Sequence, residues 1–223
     1  MKIMGHRGAK NESPENTLKS IQTAIDAGVE SVEIDIHLSK DDQIMVIHDN
    51  TIDRTTNGSG KILSMTLLEL KEFDAGEGEQ IPTLKEVIKL VRGKVLLFIE
   101  IKADDCEEKV VNILKEEDLS QFIIKSFNHR YLQKVKSLNS NLRTAVLIHA
   151  LPVDPVQLVR ACEGDILSIS LGFLDKELVD LCHKDNVEVC AWNCNDIDKL
   201  SIISATGVDY LGTDIPSIIC AGL

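Results

Sequence analysis

A chain of 223 residues, 43% of them hydrophobic and with a mean hydropathy near zero, can bury one large core. It shows no apolar run of membrane-spanning length. Its formal net charge of −12 argues against nucleic acid or a stable membrane association.

Short β-rich apolar runs alternate with amphipathic helical stretches along the whole chain. Strands are expected at 2–5, 31–37, 95–102, 122–127, 143–148, 166–170, 188–193 and 210–213. Helices are expected at about 16–28, 83–92, 106–117, 129–139, 154–163, 175–185 and 196–206, with a last short one from Pro216. Eight strands each followed by a helix predict an α/β fold, a closed TIM (β/α)8 barrel rather than a doubly wound open sheet. No stretch reads as an interdomain linker, so residues 1–223 are taken as a single domain. Asn16 is expected to cap the first helix, and Asp154-Pro155 and Asn195-Asp196 to start later ones. Gly28, Gly93, Gly164 and Gly207 fall just past helical runs, where a C-terminal cap needs φ > 0.

One segment breaks the rhythm. After the second strand, Lys40-Asp41-Asp42-Gln43 makes a turn and 44–49 reads as a further strand, a hairpin extension ending in His48-Asp49. Residues 50–82 are then a small, turn-rich insertion around Asn57-Gly58-Ser59-Gly60, before a helix led by Pro82 and Thr83. An insertion after a barrel strand lies over the face where barrel active sites are built. Met1 precedes the first strand almost directly, which leaves no room for a signal peptide, and a cytoplasmic protein is expected. The scattered Cys106, Cys162, Cys182, Cys190, Cys194 and Cys220 suit reduced, buried thiols.

Strand alternation puts Glu33, Asp35 and His37 on one face of the second strand and Ile34 and Ile36 on the other. Two carboxylates about 7 Å apart on one face repel each other and are costly to bury unless a cation joins them. Glu100 and Lys102 repeat the pattern on the third strand, so Glu33, Asp35 and Glu100 form a three-carboxylate cluster at the barrel mouth. All-oxygen ligation points to one divalent cation, Mg²⁺, Ca²⁺ or Mn²⁺, rather than zinc. The competing arrangement is a salt-bridge network of these acids with Arg7 and Lys102. His6 and His48, at two strand ends facing the same site, suit an acid–base pair. Arg7 and Lys102 suit a phosphoryl oxygen beside the metal. His37, one step further out, either reaches the rim or holds the insertion. Trp192 either stacks on substrate carbons or packs at the rim, which Phe127, Phe173, His129 and His149 also approach; His183 is expected on a solvated helix face.

The ordered set of motifs resembles the glycerophosphodiester phosphodiesterase family over nearly the whole chain. It runs through His6-Arg7-Gly8, Pro14-Glu15-Asn16-Thr17, Glu33-Ile34-Asp35, Ser39-Lys40-Asp41, His48-Asp49 and Asp53-Arg54-Thr55-Thr56-Asn57-Gly58. It continues through Ile81-Pro82-Thr83-Leu84, Glu100-Ile101-Lys102, Ser126-Phe127, Trp192 and Thr213-Asp214-Ile215-Pro216. The resemblance implies a TIM barrel with a small insertion and hydrolysis of a small-molecule glycerophosphodiester to sn-glycerol 3-phosphate and an alcohol. It also implies a divalent cation on Glu33, Asp35 and Glu100, acid–base roles for His6 and His48, and phosphate binding by Arg7 and Lys102. Two departures stand out. Asp42 replaces the usual Gly, and Asn193-Cys194 follow Trp192 where Thr-Val is common, a rim change expected to bear on the alcohol rather than the chemistry. A lyase acting on lysophospholipids and a non-catalytic ligand-binding barrel are the alternatives, and a homo-oligomer is left open.

Overall fold

The computed structural model describes residues 1–222. Eight parallel strands close into a barrel: β1 (Lys2–His6), β2 (Ser31–Leu38), β4 (Leu96–Ile101), β5 (Phe122–Ser126), β6 (Arg143–Ile148), β7 (Ile166–Ser170), β8 (Glu188–Trp192) and β9 (Tyr210–Thr213). The ring shuts where β1 pairs with both β2 and β9. A ninth strand, β3 (Ile44–Val46), adds antiparallel to the end of β2. Helices α1 (Leu18–Asp26), α3 (Leu84–Val91), α4 (Glu107–Leu114), α5 (His129–Leu138), α6 (Pro155–Ala161), α7 (Lys176–Lys184), α8 (Leu200–Ala205) and α9 (Pro216–Ala221) follow the barrel strands. A single turn, α2 (Leu67–Leu70), lies inside the insertion. This is the (β/α)8 barrel expected from the alternating pattern.

Period-two alternation gives the barrel two cores. Outward residues such as Val32, Ile34, Ile36, Leu97, Ile99 and Val189 pack beneath the helices. Inward residues Met4, Phe98, Ile123, Ala145, Ile166, Cys190 and Tyr210 fill the floor of the barrel, with Phe98 and Tyr210 edge to face at 5.2 Å. The polar residues two positions further along the same strands therefore rise above an apolar plug, at the carboxyl ends of the strands. A separate cluster of Met45, Ile47, Ile52, Ile62, Leu70, Ala75 and Ile81 holds the insertion together.

Local expectations differ from the structure at several points. The N-cap of α1 is Thr17, whose side chain accepts from the Ser20 N–H, not Asn16; Asn16 takes φ 59° and turns its amide into the barrel mouth. Gly28, Gly93 and Gly207 have φ > 0, but after α6 the left-handed residue is Glu163 rather than Gly164. Asp154 caps α6, and Asp196 caps a short turn just before α8. Asp42 takes φ 62°, a conformation Asp tolerates better than most residues. β3 stops at Val46, three residues short of the expected strand end, so His48 and Asp49 lie on a loop over the mouth. All six cysteines are free and five are buried; burial pushes the Cys190 thiol, inside the barrel, up to about 11. His183 is not simply solvated, because its Nε2 lies 2.8 Å from Asp209.

Candidate active site

The end of β1 is shaped by backbone constraints. A Cβ at Gly5 would fall 2.4 Å from the Gly8 carbonyl oxygen, and one at Gly8 2.5 Å from Ser20 on α1. Between them Arg7 is held at φ 52°, an uncommon conformation for a non-glycine residue that points to a functional constraint. The turn aims the Arg7 backbone N–H at Glu33 Oε2 (3.1 Å) and its Nε towards Asp35 Oδ2 (3.2 Å). It also leaves His6 at the mouth.

Glu33, Asp35 and Glu100 converge as their strand positions imply: among the described residues they offer ligand oxygens all within 4.8 Å of one another, and all three are buried. Asp35 and Glu100 sit opposite each other in the β2–β4 register. The protein's own cations surround them. Lys102 Nζ is 2.9 Å from Glu100 and 3.5 Å from Asp35, and Asn16 donates to Asp35 at 3.0 Å. Lys125 Nζ lies 3.1 Å from Glu33 and 3.8 Å from Glu100.

The balance of charge is uneven. Burial opposes ionisation of Glu33, yet Lys125, His6 and Arg7 together hold its carboxyl well below the usual range. Burial pushes Glu100 up, and the repulsion of Asp35 and Glu33 adds to it against Lys125 and Lys102. Glu33 Oε1 is buried with the Lys125 ammonium as its partner at 3.1 Å. Three crowded, buried carboxylates, one of them under-neutralised, form an all-oxygen donor set that fits a hard divalent cation.

Both imidazoles are gripped from behind. His6 Nδ1 is 2.6 Å from Asp214 Oδ1, and His48 Nδ1 is 2.6 Å from Asp49 Oδ1. Burial raises the Asp214 carboxyl, but hydrogen bonds from His6 and Asn195 outweigh it and leave it depressed. Hydrogen bonds from Arg54 and then His48 hold Asp49 far below its ordinary value despite some burial. Ionised carboxylates only accept, so each Nδ1 carries the proton and each Nε2 faces the site as an acceptor. The Lys102 ammonium, 3.1 Å from His48 Nε2, donates to that bare nitrogen. At His6 the Asn193 amide lies 2.8 Å from Nδ1, while its Oδ1 is buried without a partner. An Nδ1–H directed at Asp214 leaves no lone pair for an amide N–H, so the amide oxygen of Asn193 is the group that faces it.

A cavity of about 170 Å³ is lined by His6, Arg7, His48, Glu100, Lys102 and Lys125, with Phe127, Leu147, Trp192 and Asn193 at its sides. Phe127 stands edge-on to Trp192 at 5.9 Å, and His149 continues the row towards Phe173. His129 instead binds the Leu147 carbonyl at 3.0 Å. His37 does not line the cavity; its Nε2 lies 2.9 Å from the His48 carbonyl and steadies that loop. Asn193 reaches further than the rim position expected of it, since it touches His6 directly.

Sequence reasoning missed Lys125, although a lysine inside the apolar run Phe122-Ile123-Ile124-Lys125-Ser126-Phe127, on the inward face, was a usable signal. It also assigned no role to Asp49 or Asp214. Glu15 went unassigned too: it joins Arg7 (2.8 Å) to Arg54 (2.8 and 2.9 Å) and so ties the β1 turn to the insertion.

The chain matches known proteins over nearly its whole length. A sequence model described as the glycerophosphoryl diester phosphodiesterase family matches residues 6–218. The chain is 36% identical to a glycerophosphodiester phosphodiesterase of Caldanaerobacter subterraneus subsp. tengcongensis, covering 96% of this chain and 94% of that protein. It is 30% identical to another of Bacillus altitudinis, over 96% and 95%. Among solved structures, a phosphodiesterase of Oleispira antarctica in complex with the product sn-glycerol-3-phosphate superposes with a TM-score of 0.93 at 30% identity, covering 100% of this chain and 96% of that one.

Proposed function

The chain belongs to the glycerophosphodiester phosphodiesterase family, and on that premise we propose that it hydrolyses glycerophosphodiesters to sn-glycerol 3-phosphate and an alcohol, using a divalent cation and two histidines. The observation that carries this reading is the convergence, around one cavity, of three carboxylates within 4.8 Å and two imidazoles each fixed at Nδ1 by a carboxylate.

Glu33, Asp35 and Glu100 would hold the cation, Mg²⁺, Ca²⁺ or Mn²⁺, which when bound would supply Lewis-acid polarisation of a phosphoryl oxygen. Arg7 and Lys102 offset the charge of the diester, which otherwise repels a nucleophile. One imidazole Nε2 takes the proton of the attacking hydroxyl, from water or from the neighbouring glycerol hydroxyl through a cyclic phosphate. The other, entering as the imidazolium, gives its Nε2 proton to the departing alkoxide, so the P–O bond to the alcohol breaks as the new one forms; on the cyclic route water then opens the ring to the phosphomonoester. Asp214 and Asp49 keep Nδ1 of both imidazoles protonated, which orients Nε2 of the base and supports the positive charge of the acid. Trp192 and Phe127 flank the carbon skeleton. His37 supports His48 from outside the cavity.

The test is turnover of a panel of glycerophosphodiesters after chelation and single-metal add-back. Activity lost to chelator and restored by Mg²⁺, Ca²⁺ or Mn²⁺ is expected, with His6→Ala and His48→Ala each cutting kcat roughly 10²-fold or more. Full activity in chelator removes the cation, and activity within about twofold of the parent removes that histidine.

A further inference from the structure

The motif Asp53-Arg54-Thr55-Thr56-Asn57-Gly58 forms a turn of the insertion, and none of its residues lines the catalytic cavity. Most of it is local architecture. The Asp53 carboxylate accepts from the Gly60 N–H at 3.1 Å, and the Thr56 hydroxyl donates to the Ile52 carbonyl at 2.8 Å. Asn57 donates its backbone N–H to the Asp74 carbonyl at 3.0 Å, and its side-chain oxygen accepts from the Asp74 N–H at 3.0 Å. Ile52, fully buried, roots the turn in the insertion's own core. Arg54 points the other way, towards the barrel. Its Nε and Nη2 donate to Asp49 Oδ2 and Oδ1 at 2.8 and 3.1 Å. Its Nη1 and Nη2 donate to Glu15 Oε2 and Oε1 at 2.9 and 2.8 Å.

We propose that Arg54 is a positioning residue for the reaction, fixing the His48 imidazole from outside the cavity by gripping Asp49 and anchoring it to Glu15. The inference rests on the phosphodiesterase reading and adds a residue to it. The two imidazoles are supported differently. Behind His6, Asp214 follows directly on β9 and is held by Asn195 from the loop after β8. Asp49 lies on the loop after β3, and among the described residues its carboxylate takes hydrogen bonds from His48 and Arg54 alone. A carboxylate on a loop turns about its own bond unless both oxygens are held, and the planar guanidinium holds both. Glu15 fixes the guanidinium in turn, and Arg7 holds Glu15 from the other side at 2.8 Å. A chain of charge-assisted hydrogen bonds therefore runs from Arg7 at the end of β1, across the seam between barrel and insertion, to His48. Arg54 stands clear of the diester and acts on the imidazole through Asp49.

The Arg54 side chain is 46% exposed, so Arg54→Ala is expected to fold. Its kcat should fall about 10-fold or more with KM within about threefold, the mark of a group that acts on an acid–base residue rather than on substrate. Arg54→Lys keeps the charge but cannot hold both oxygens of two carboxylates, and its kcat should stay within about threefold of that of Arg54→Ala. The double variant Arg54→Ala/Asp49→Asn should be within about twofold of Asp49→Asn alone, because the two residues act on His48 in series. A spectroscopic readout needs no turnover. The Nδ1–H proton of His48, assigned by its absence in His48→Gln, should give a sharp downfield NMR signal in the parent and be lost to solvent exchange in Arg54→Ala. A kcat within about twofold of the parent in Arg54→Ala overturns the inference. So does full activity in Arg54→Lys, a double variant whose losses add, or an Nδ1–H signal untouched by Arg54→Ala. No turnover of any diester by the parent removes the phosphodiesterase reading instead, and the Nδ1–H signal still decides whether Arg54 holds His48.

Discussion

A carboxylate can only accept from an imidazole, whereas a carboxamide can donate to it as well, and Asp214 is where that difference is measurable. Its Oδ1 holds His6 Nδ1 at 2.6 Å, and Asn195 holds Asp214 in turn, donating to Oδ2 at 2.7 Å and accepting from its backbone N–H at 2.8 Å. Asp214→Asn keeps the shape but permits the wrong tautomer. The expected result is a fall in kcat of roughly 10-fold or more with KM within about threefold, since Asp214 acts through His6 rather than on substrate. A KM rise with unchanged kcat would show that Asp214 serves binding instead. Lys125 offers a second contrast. It is the buried cation between Glu33 and Glu100, so Lys125→Met should destabilise the chain by about 3–5 kcal/mol, the scale of a broken buried ion pair. Urea unfolding at neutral pH checks it, and a loss under about 1 kcal/mol would mean that the carboxylates have another source of neutralisation.

Elements are joined here through side chains at their ends. The loop entering α1 carries Glu15, which binds Arg7 at the end of β1 and Arg54 in the insertion, and Arg54 also binds Asp49 behind His48. Burial opposes the Glu15 charge, but hydrogen bonds from Arg54 and the field of Arg7 more than offset it and hold the carboxyl down to about 2. An unfolded Glu titrates at about 4.3. Because the folded value is lower, the stabilisation is fully present above the unfolded value and is lost as pH falls through the folded one. The stability gap between the parent and Glu15→Gln should therefore be widest near neutral pH and should close between about pH 4 and pH 2. Denaturant unfolding of both proteins across that range is the measurement, and a gap independent of pH would show that charge is not what Glu15 contributes.

For the molecule as a whole, the barrel stacks an apolar floor beneath a layer of acids and lysines, so the most charge-dense layer lies at the mouth. Any ligand that binds the folded barrel and not the open chain stabilises it by mass action. At about 100 times its Kd, a divalent cation should raise Tm by roughly 5–10 °C for a chain of this size, and Glu100→Gln should remove most of that rise. A Tm unmoved by Mg²⁺, Ca²⁺ and Mn²⁺ alike would leave the three carboxylates to Lys102, Lys125 and Arg7. Among the described residues no helix is long and apolar enough to cross a membrane.

The barrel, the carboxylate cluster and the two histidines could be read along the chain because strand periodicity is local. Alternation of Ile34 and Ile36 with Glu33, Asp35 and His37 follows from the backbone alone, whichever strands lie alongside. Chain closure settled the rest. Lys125 reaches Glu33 from two strands away, and Asp214 meets His6 across 208 positions; no local pattern encodes which strand ends become neighbours in a ring. The left-handed turn at Arg7, the displacement of the helix cap from Asn16 to Thr17 and the early end of β3 share that cause. Each yields local preference so that a side chain can reach the mouth, and the contacts that reward the exchange form only once the barrel has shut.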